Sequence, residues 1–173
     1  TKSTGIADYV AAKVSSGELW CCARENQNSI EESVHRTILD EISRLGINGF
    51  EDTKTSITHE ASGGRTFYRG LARNITSLKS TLSGVDGLWI EEGEDISANT
   101  LRVLTASVRL NAKDTESLLN GRKIASQAEL DKLIDESGFK MPEIIITMNR
   151  GGRTGAVAKK WLERAEAKLS QCG

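Results

Sequence analysis

Three short apolar runs set far apart in the chain constrain its fold more than any other feature: ELWCCAR (18–24), GLWIE (87–91) and EIIITMN (143–149). A strand that is apolar along its whole length, and not only at alternate residues, is buried on both faces, and sheets built from such strands are mostly parallel and covered by helices. Helical spacing lies between the runs. In STGIADYVAAKVSS (3–16) Ile6, Val10 and Val14 recur every four residues, and Gly17 supplies a stop. A second helix is predicted from about Ser29 to Leu45, before Gly46, a short one across NITSLKSTL, and another from about Ser97 to Val108. SITHEA and RTFYRG flank Gly63 and Gly64, which predicts a β-hairpin. Strands alternating with helices give an α/β fold, a mostly parallel sheet flanked by helices with a hairpin insertion. The run EIIITMN reads as the clearest buried strand in the chain. Residues 110–142, with SQAELDKLIDES, are expected to form a peripheral insertion carrying a solvated helix. A last helix is predicted over Ala156–Leu169, with Val157, Trp161, Ala165 and Leu169 on one stripe. At 173 residues the whole chain, 1–173, fits one domain.

The formal net charge is −1, so no overall positive field draws in nucleic acid, and any such contact must come from a local patch. Arg65, Arg69, Arg73 and Lys79 cluster around Phe67 and Tyr68. They could contact a phosphate backbone, serve a neighbouring subunit as an arginine finger, or form a solvated face. Cys21 and Cys22 are adjacent and Cys172 is remote, which is neither zinc spacing nor a paired framework; a reduced, intracellular setting is expected. No secretory leader is read, and no apolar run approaches the roughly 18 to 20 residues that cross a bilayer. His35 and His59 are isolated from any ligand pattern. Trp20, Trp89 and Trp161 are expected to pack in the core.

The chemistry concentrates where apolar runs end. Glu91 and Glu92 place two like charges where the strand leaves the core, and a divalent cation would offset their repulsion. In P-loop nucleotidases that activate a water, a buried strand ends in two such acids. The first helps hold magnesium and the second polarises the attacking water. The bland alternative is a strand end meeting a solvated loop, in keeping with Glu94 and Asp95 being acidic too. Lys2 and Ser3 stand directly before the first helix, as do the last two residues of G-x-x-x-x-G-K-[ST]. In that role Lys2 reaches the β- and γ-phosphates and the Ser3 hydroxyl sits on magnesium. A third strand ends in Thr147 and Asn149. Strand carboxyl ends are where ligands bind in parallel sheets.

CCARENQNSIEESVHRTILDEI, FYRGLARNITSLKSTLSGVDGLWIEEGEDIS and PEIIITMNRGG together resemble the ATPase domain of large terminase subunits from tailed double-stranded-DNA bacteriophages. The resemblance spans nearly the whole chain outside 110–142, and KSTLSGVDGLWIEEGEDIS is its most specific piece. It implies a P-loop NTPase fold of the ASCE type and a motor that hydrolyses ATP, with magnesium, to thread viral DNA through a portal into a preformed capsid. By position, Lys2 and Ser3 match the end of the phosphate-binding loop, Glu91 the magnesium carboxylate, Glu92 the catalytic glutamate, and Thr147 and Asn149 the coupling motif. Arg24, Glu25 and Gln27 match the segment near the adenine. The implied partners are double-stranded DNA, the portal protein and the small terminase subunit, in a homo-oligomeric ring on the portal. The implied setting is the host cytoplasm at the procapsid portal. Two departures are plain. The loop glycines and the strand before them are not in the sequence, which starts at Thr1, where the family usually has glycine, so ATP binding by this stretch alone is expected to be weak. No acidic cluster of the kind a two-metal nuclease needs follows, so a nuclease domain and DNA cleavage are not expected. A non-catalytic, ATPase-like docking or regulatory module is the alternative.

Overall fold

In a computed structural model that describes residues 2–25, 27–71, 75–110 and 112–149, the elements in chain order are α1 (Lys2–Ser15), β1 (Leu19–Arg24), α2 (Gln27–Leu45), β2 (Phe50–Thr53), β3 (Ser56–His59), β4 (Arg65–Gly70), α3 (Ile75–Thr81), β5 (Gly87–Ile90), a 3-10 turn (Gly93–Asp95), α4 (Ala98–Ser107), α5 (Ala112–Leu119), α6 (Gln127–Ser137) and β6 (Glu143–Ile146). The strands form one sheet in the order β2-β3-β4-β1-β5-β6. Strand β1 pairs in parallel with β4 and β5, β5 pairs in parallel with β6, and the β2-β3-β4 segment is antiparallel. The expected hairpin is thus β3-β4, joined through Gly63 and Gly64.

The uninterrupted apolar character of β1 and β5 has the expected consequence. Alternate residues point to opposite faces of the sheet and both faces are covered. Cys21, Ala23, Leu88 and Ile90 join one core with Leu78, Leu82, Leu101 and Leu104 from α3, α4 and their flank. Trp20, Cys22 and Trp89 join the other with Val10, Val14, Val34, Ile38 and Ile42 from α1 and α2. Helix α1 stops where Gly17 takes φ 102°, a conformation that costs a residue without a Cβ little. Ser97 caps α4 by accepting a hydrogen bond from the Thr100 amide at 3.0 Å.

Two expectations need correction or extension. Strand β6, read from sequence as the clearest buried strand, has all four of its residues only partly buried, because among the described residues it pairs with β5 alone and closes the sheet's edge. Strand β2 is not expected from the sequence; its residues beyond Phe50 are exposed, so FEDT carries no apolar alternation to announce it. Helix α6 buries no residue. The helix predicted over 156–169, with Trp161, lies outside the described residues, as do Arg73 and Cys172. No described helix is long and apolar enough to cross a membrane.

At the amino end of the sheet a polar cluster fixes the edge strand. The Tyr9 hydroxyl donates to Glu143 at 2.6 Å, Lys13 lies 3.5 Å from both Glu18 and Glu143, and Lys140 pairs with Glu18. Helix α1, β1 and β6 are therefore tied together at one end, which sets where β6 delivers residues 147–149 at the other.

Two glycines are required by space. A Cβ on Gly64 would stand 2.0 Å from the Val14 carbonyl oxygen, and one on Gly87 would stand 2.3 Å from the Trp20 indole. Gly64→Ala and Gly87→Ala are each expected to lower unfolding free energy by about 3 kcal/mol, read as a fall in urea midpoint at unchanged slope. Burial pushes the Cys22 thiol up from 9.0 to about 12 and raises Cys21 well above its ordinary value. The unfolded chain then releases these protons first, so stability falls as pH rises from about 9 towards about 12, by up to about 1.4 kcal/mol per pH unit for each thiol. Denaturant titrations across that range should show a shallower decline for Cys22→Ala.

Candidate functional site

The ladder of the central strands runs one residue past their formal ends. The Glu91 amide donates to the Ala23 carbonyl at 2.9 Å, and the Thr147 amide to the Ile90 carbonyl at 2.9 Å. Parallel pairing therefore brings the carboxyl ends of β1, β5 and β6 to one side of the sheet, where α1 also begins. A cavity of about 480 Å³ opens there, and Ser3, Glu91, Glu92, Glu94, Thr147 and Asn149 line it.

Glu91 is the better held of the two acids. Its Oε1 accepts from the Ser3 hydroxyl at 3.1 Å, and its Oε2 lies 3.5 Å from the Ser33 hydroxyl and 3.9 Å from the Arg24 guanidinium. Glu92 forms an ion pair with Arg24. The side chains differ in exposure, 14% for Glu91 against 38% for Glu92, so one carboxylate is enclosed and its neighbour faces solvent. Glu92 also sits in the left-handed region, at φ 53° and ψ 49°. That conformation strains a residue with a side chain and persists only when its surroundings impose it. Here the next amide, Gly93, donates to the Thr147 carbonyl at 2.8 Å, anchoring the turn to the chain leaving β6.

Thr147 is held by its hydroxyl, which accepts from the Trp89 indole N–H at 3.2 Å and donates to the Ile90 carbonyl at 3.3 Å. Asn149 donates to Glu94 Oε1 from both its backbone amide, at 3.2 Å, and its side-chain Nδ2, at 2.6 Å. Three carboxylates thus share one pocket, and Arg24 is the cation the structure pairs with two of them.

Of the residues singled out from sequence, Ser3, Arg24, Glu91, Glu92, Thr147 and Asn149 converge here. Arg24 engages the acidic pair directly. Lys2 and Gln27 are the first residues of α1 and α2, and their side chains lie outside the described structure. Of the basic residues, Arg65 and Arg69 do not line the pocket. Arg65 donates to Ser56, and Arg69 donates to the Tyr68 carbonyl and lies over the Phe67 ring. His35 pairs with Asp52 at 2.7 Å, and His59 lies 2.9 Å from Ser62; neither lines the pocket. Two residues escape the sequence reading. Ser33 has no sequence signal, since it reaches Glu91 from the middle of α2. Glu94 looks from sequence like part of a solvated loop, yet its Oε2 is buried. Among the described residues no group of three or more His, Cys, Asp or Glu side chains forms a metal cage.

A sequence model of the phage terminase large subunit family matches residues 1–120. No curated protein matches the chain. Solved structures with a similar fold include the large terminase of a thermophilic bacteriophage, at a TM-score of 0.52 and 13% identity, and the N-terminal domain of the DNA packaging ATPase from bacteriophage phi29, at 0.50 and 12%. Each similarity covers 85% of this chain, which spans 37% of the thermophilic phage's terminase and 66% of the phi29 domain. The family match takes in Ser3, Arg24 and the acidic pair at the end of β5 and stops before β6. With 120 of its 173 residues inside that match, the chain belongs to the phage terminase large subunit family.

Proposed function

We propose that this pocket binds ATP with magnesium and hydrolyses it, and that the domain drives double-stranded DNA into a procapsid. The observation that carries the reading is the juxtaposition of Ser3 and Glu91, residues 88 positions apart whose oxygens lie 3.1 Å from one another beside the more exposed Glu92. Hydroxyl and carboxylate oxygens are hard donors that suit magnesium, an ion that takes one or two protein oxygens and keeps several waters. Ser3 and Glu91 would hold it. When bound, it neutralises charge that develops on the phosphoryl oxygens.

The chain's own groups divide the remaining work. The enclosed Glu91 is held by the Ser3 hydroxyl on one oxygen, with Ser33 and Arg24 near the other, which orients its carboxylate before any ligand arrives. Glu92, carried outward by its left-handed backbone, more exposed than Glu91 and paired with Arg24, acts as the base that polarises the attacking water. Lys2, at the start of α1, holds the phosphates together with that helix terminus, and Arg24 and Gln27 complete the nucleotide's surroundings. Thr147 and Asn149 follow the state of the terminal phosphate and pass it to the parts that grip DNA. In the whole protein this activity belongs to a homo-oligomeric ring on the portal, with the small terminase subunit and the portal protein as partners, in the host cytoplasm.

In the natural full-length protein, Glu92→Gln is expected to keep ATP affinity in calorimetric titration while magnesium-dependent turnover falls about 10³-fold. Turnover near the wild-type rate would remove Glu92 from the base role. A wild-type protein that binds no ATP would sink the reading as a whole.

A further inference from the structure

The short 3-10 turn after Glu92 returns Glu94 beneath the chain leaving β6, where its two carboxylate oxygens fare differently. Oε1 accepts two N–H groups from one residue, Asn149, at 2.6 Å from Nδ2 and 3.2 Å from the backbone amide. Oε2 is buried and takes no hydrogen bond among the described residues. A carboxylate with one buried oxygen unpaired depends heavily on the partners it has. Asn149 is also held firmly by this arrangement, because a two-point contact fixes both the course of its backbone and the plane of its carboxamide. One residue earlier in the turn, Gly93 donates to the Thr147 carbonyl at 2.8 Å. The loops after β5 and β6 are therefore laced together at two successive positions, immediately beyond Glu92.

We propose that Glu94 is a positioning residue that makes the 147–149 segment and the turn bearing Glu92 move as one piece. It rests on the reading of this pocket as a nucleotide site. Glu94 touches Asn149 and neither of the groups assigned to the water or the cation, so it acts through its neighbour. A displacement of Asn149 towards a bound phosphoryl group pulls on Glu94, and through the turn on the strained backbone of Glu92. The base thus takes its place only when Asn149 has taken its own. Asn149 Nδ2 carries two hydrogens, so one can stay on Glu94 while the other turns to a ligand.

The test compares Glu94→Gln, which keeps an acceptor oxygen at the same reach, with Glu94→Asp, which keeps the charge but is one methylene too short. In the full-length protein Glu94→Gln should hold kcat near the wild-type value. Glu94→Asp should lower kcat about tenfold and leave KM for ATP nearly unchanged, as expected when a group is misplaced and binding is not lost. An unaltered kcat in Glu94→Asp, equal losses in both variants, or a parallel rise in KM would each overturn the proposal. Amide hydrogen exchange over 147–149 supplies a readout independent of turnover. It should speed up in Glu94→Asp and not in Glu94→Gln, and equal protection in all three proteins would also overturn it. A wild-type protein without ATPase activity would defeat the nucleotide-site reading, while the exchange comparison would still decide whether Glu94 holds Asn149.

Discussion

Strand β1 hydrogen-bonds on both sides in parallel, to β4 and to β5, and β5 carries the same direction on to β6. Everything that matters chemically follows from this. Parallel strands send their carboxyl ends to one side, and crossover helices must cover both faces. Residues distant in sequence, from Ser3 at the start of α1 to Asn149 after β6, are thereby gathered at one rim. The opposite rim is held by the Tyr9, Lys13, Glu18 and Glu143 cluster, so the edge strand is anchored at the end away from the pocket.

At the gathered rim the dominant problem is electrostatic. Glu91, Glu92 and Glu94 line the same cavity, and Arg24 is shared between the first two. Glu91 has hydroxyls from α1 and α2, Glu92 has Arg24 from the end of β1, and Glu94 has the two N–H groups of Asn149. These partners come from α1, α2, the end of β1 and the chain after β6, so the pocket's shape depends on the whole sheet being assembled. The left-handed backbone at Glu92 belongs to the same logic. Local strain is tolerated because flanking hydrogen bonds over-determine it, and it turns one member of an acidic pair outward while the other stays enclosed.

Much of the fold was legible because its signals are local. Uninterrupted apolar runs announced β1 and β5, four-residue spacing announced α1, and paired glycines announced the β3-β4 hairpin. The errors came where a strand's environment depends on what lies beside it. EIII reads as a buried strand but forms the described sheet's edge, and FEDT reads as loop but adds a strand to β3. The site was legible in part for a related reason. Acids at a strand's end are visible in one dimension, whereas Ser33 and Glu94 gain meaning only from partners 58 and 55 residues away.

The sequence by itself determined the alternation of strands and helices around β1 and β5, the parallel direction of the central strands and the acidic pair at the end of β5, because periodicity and turn chemistry act within a few residues. Tertiary structure decided which strand lies at the edge, that Arg24 turns onto Glu92, and that Glu94 is enclosed against Asn149. Those outcomes come from contacts between segments that share no local pattern, and each is fixed only when the parallel sheet has closed the distance between them.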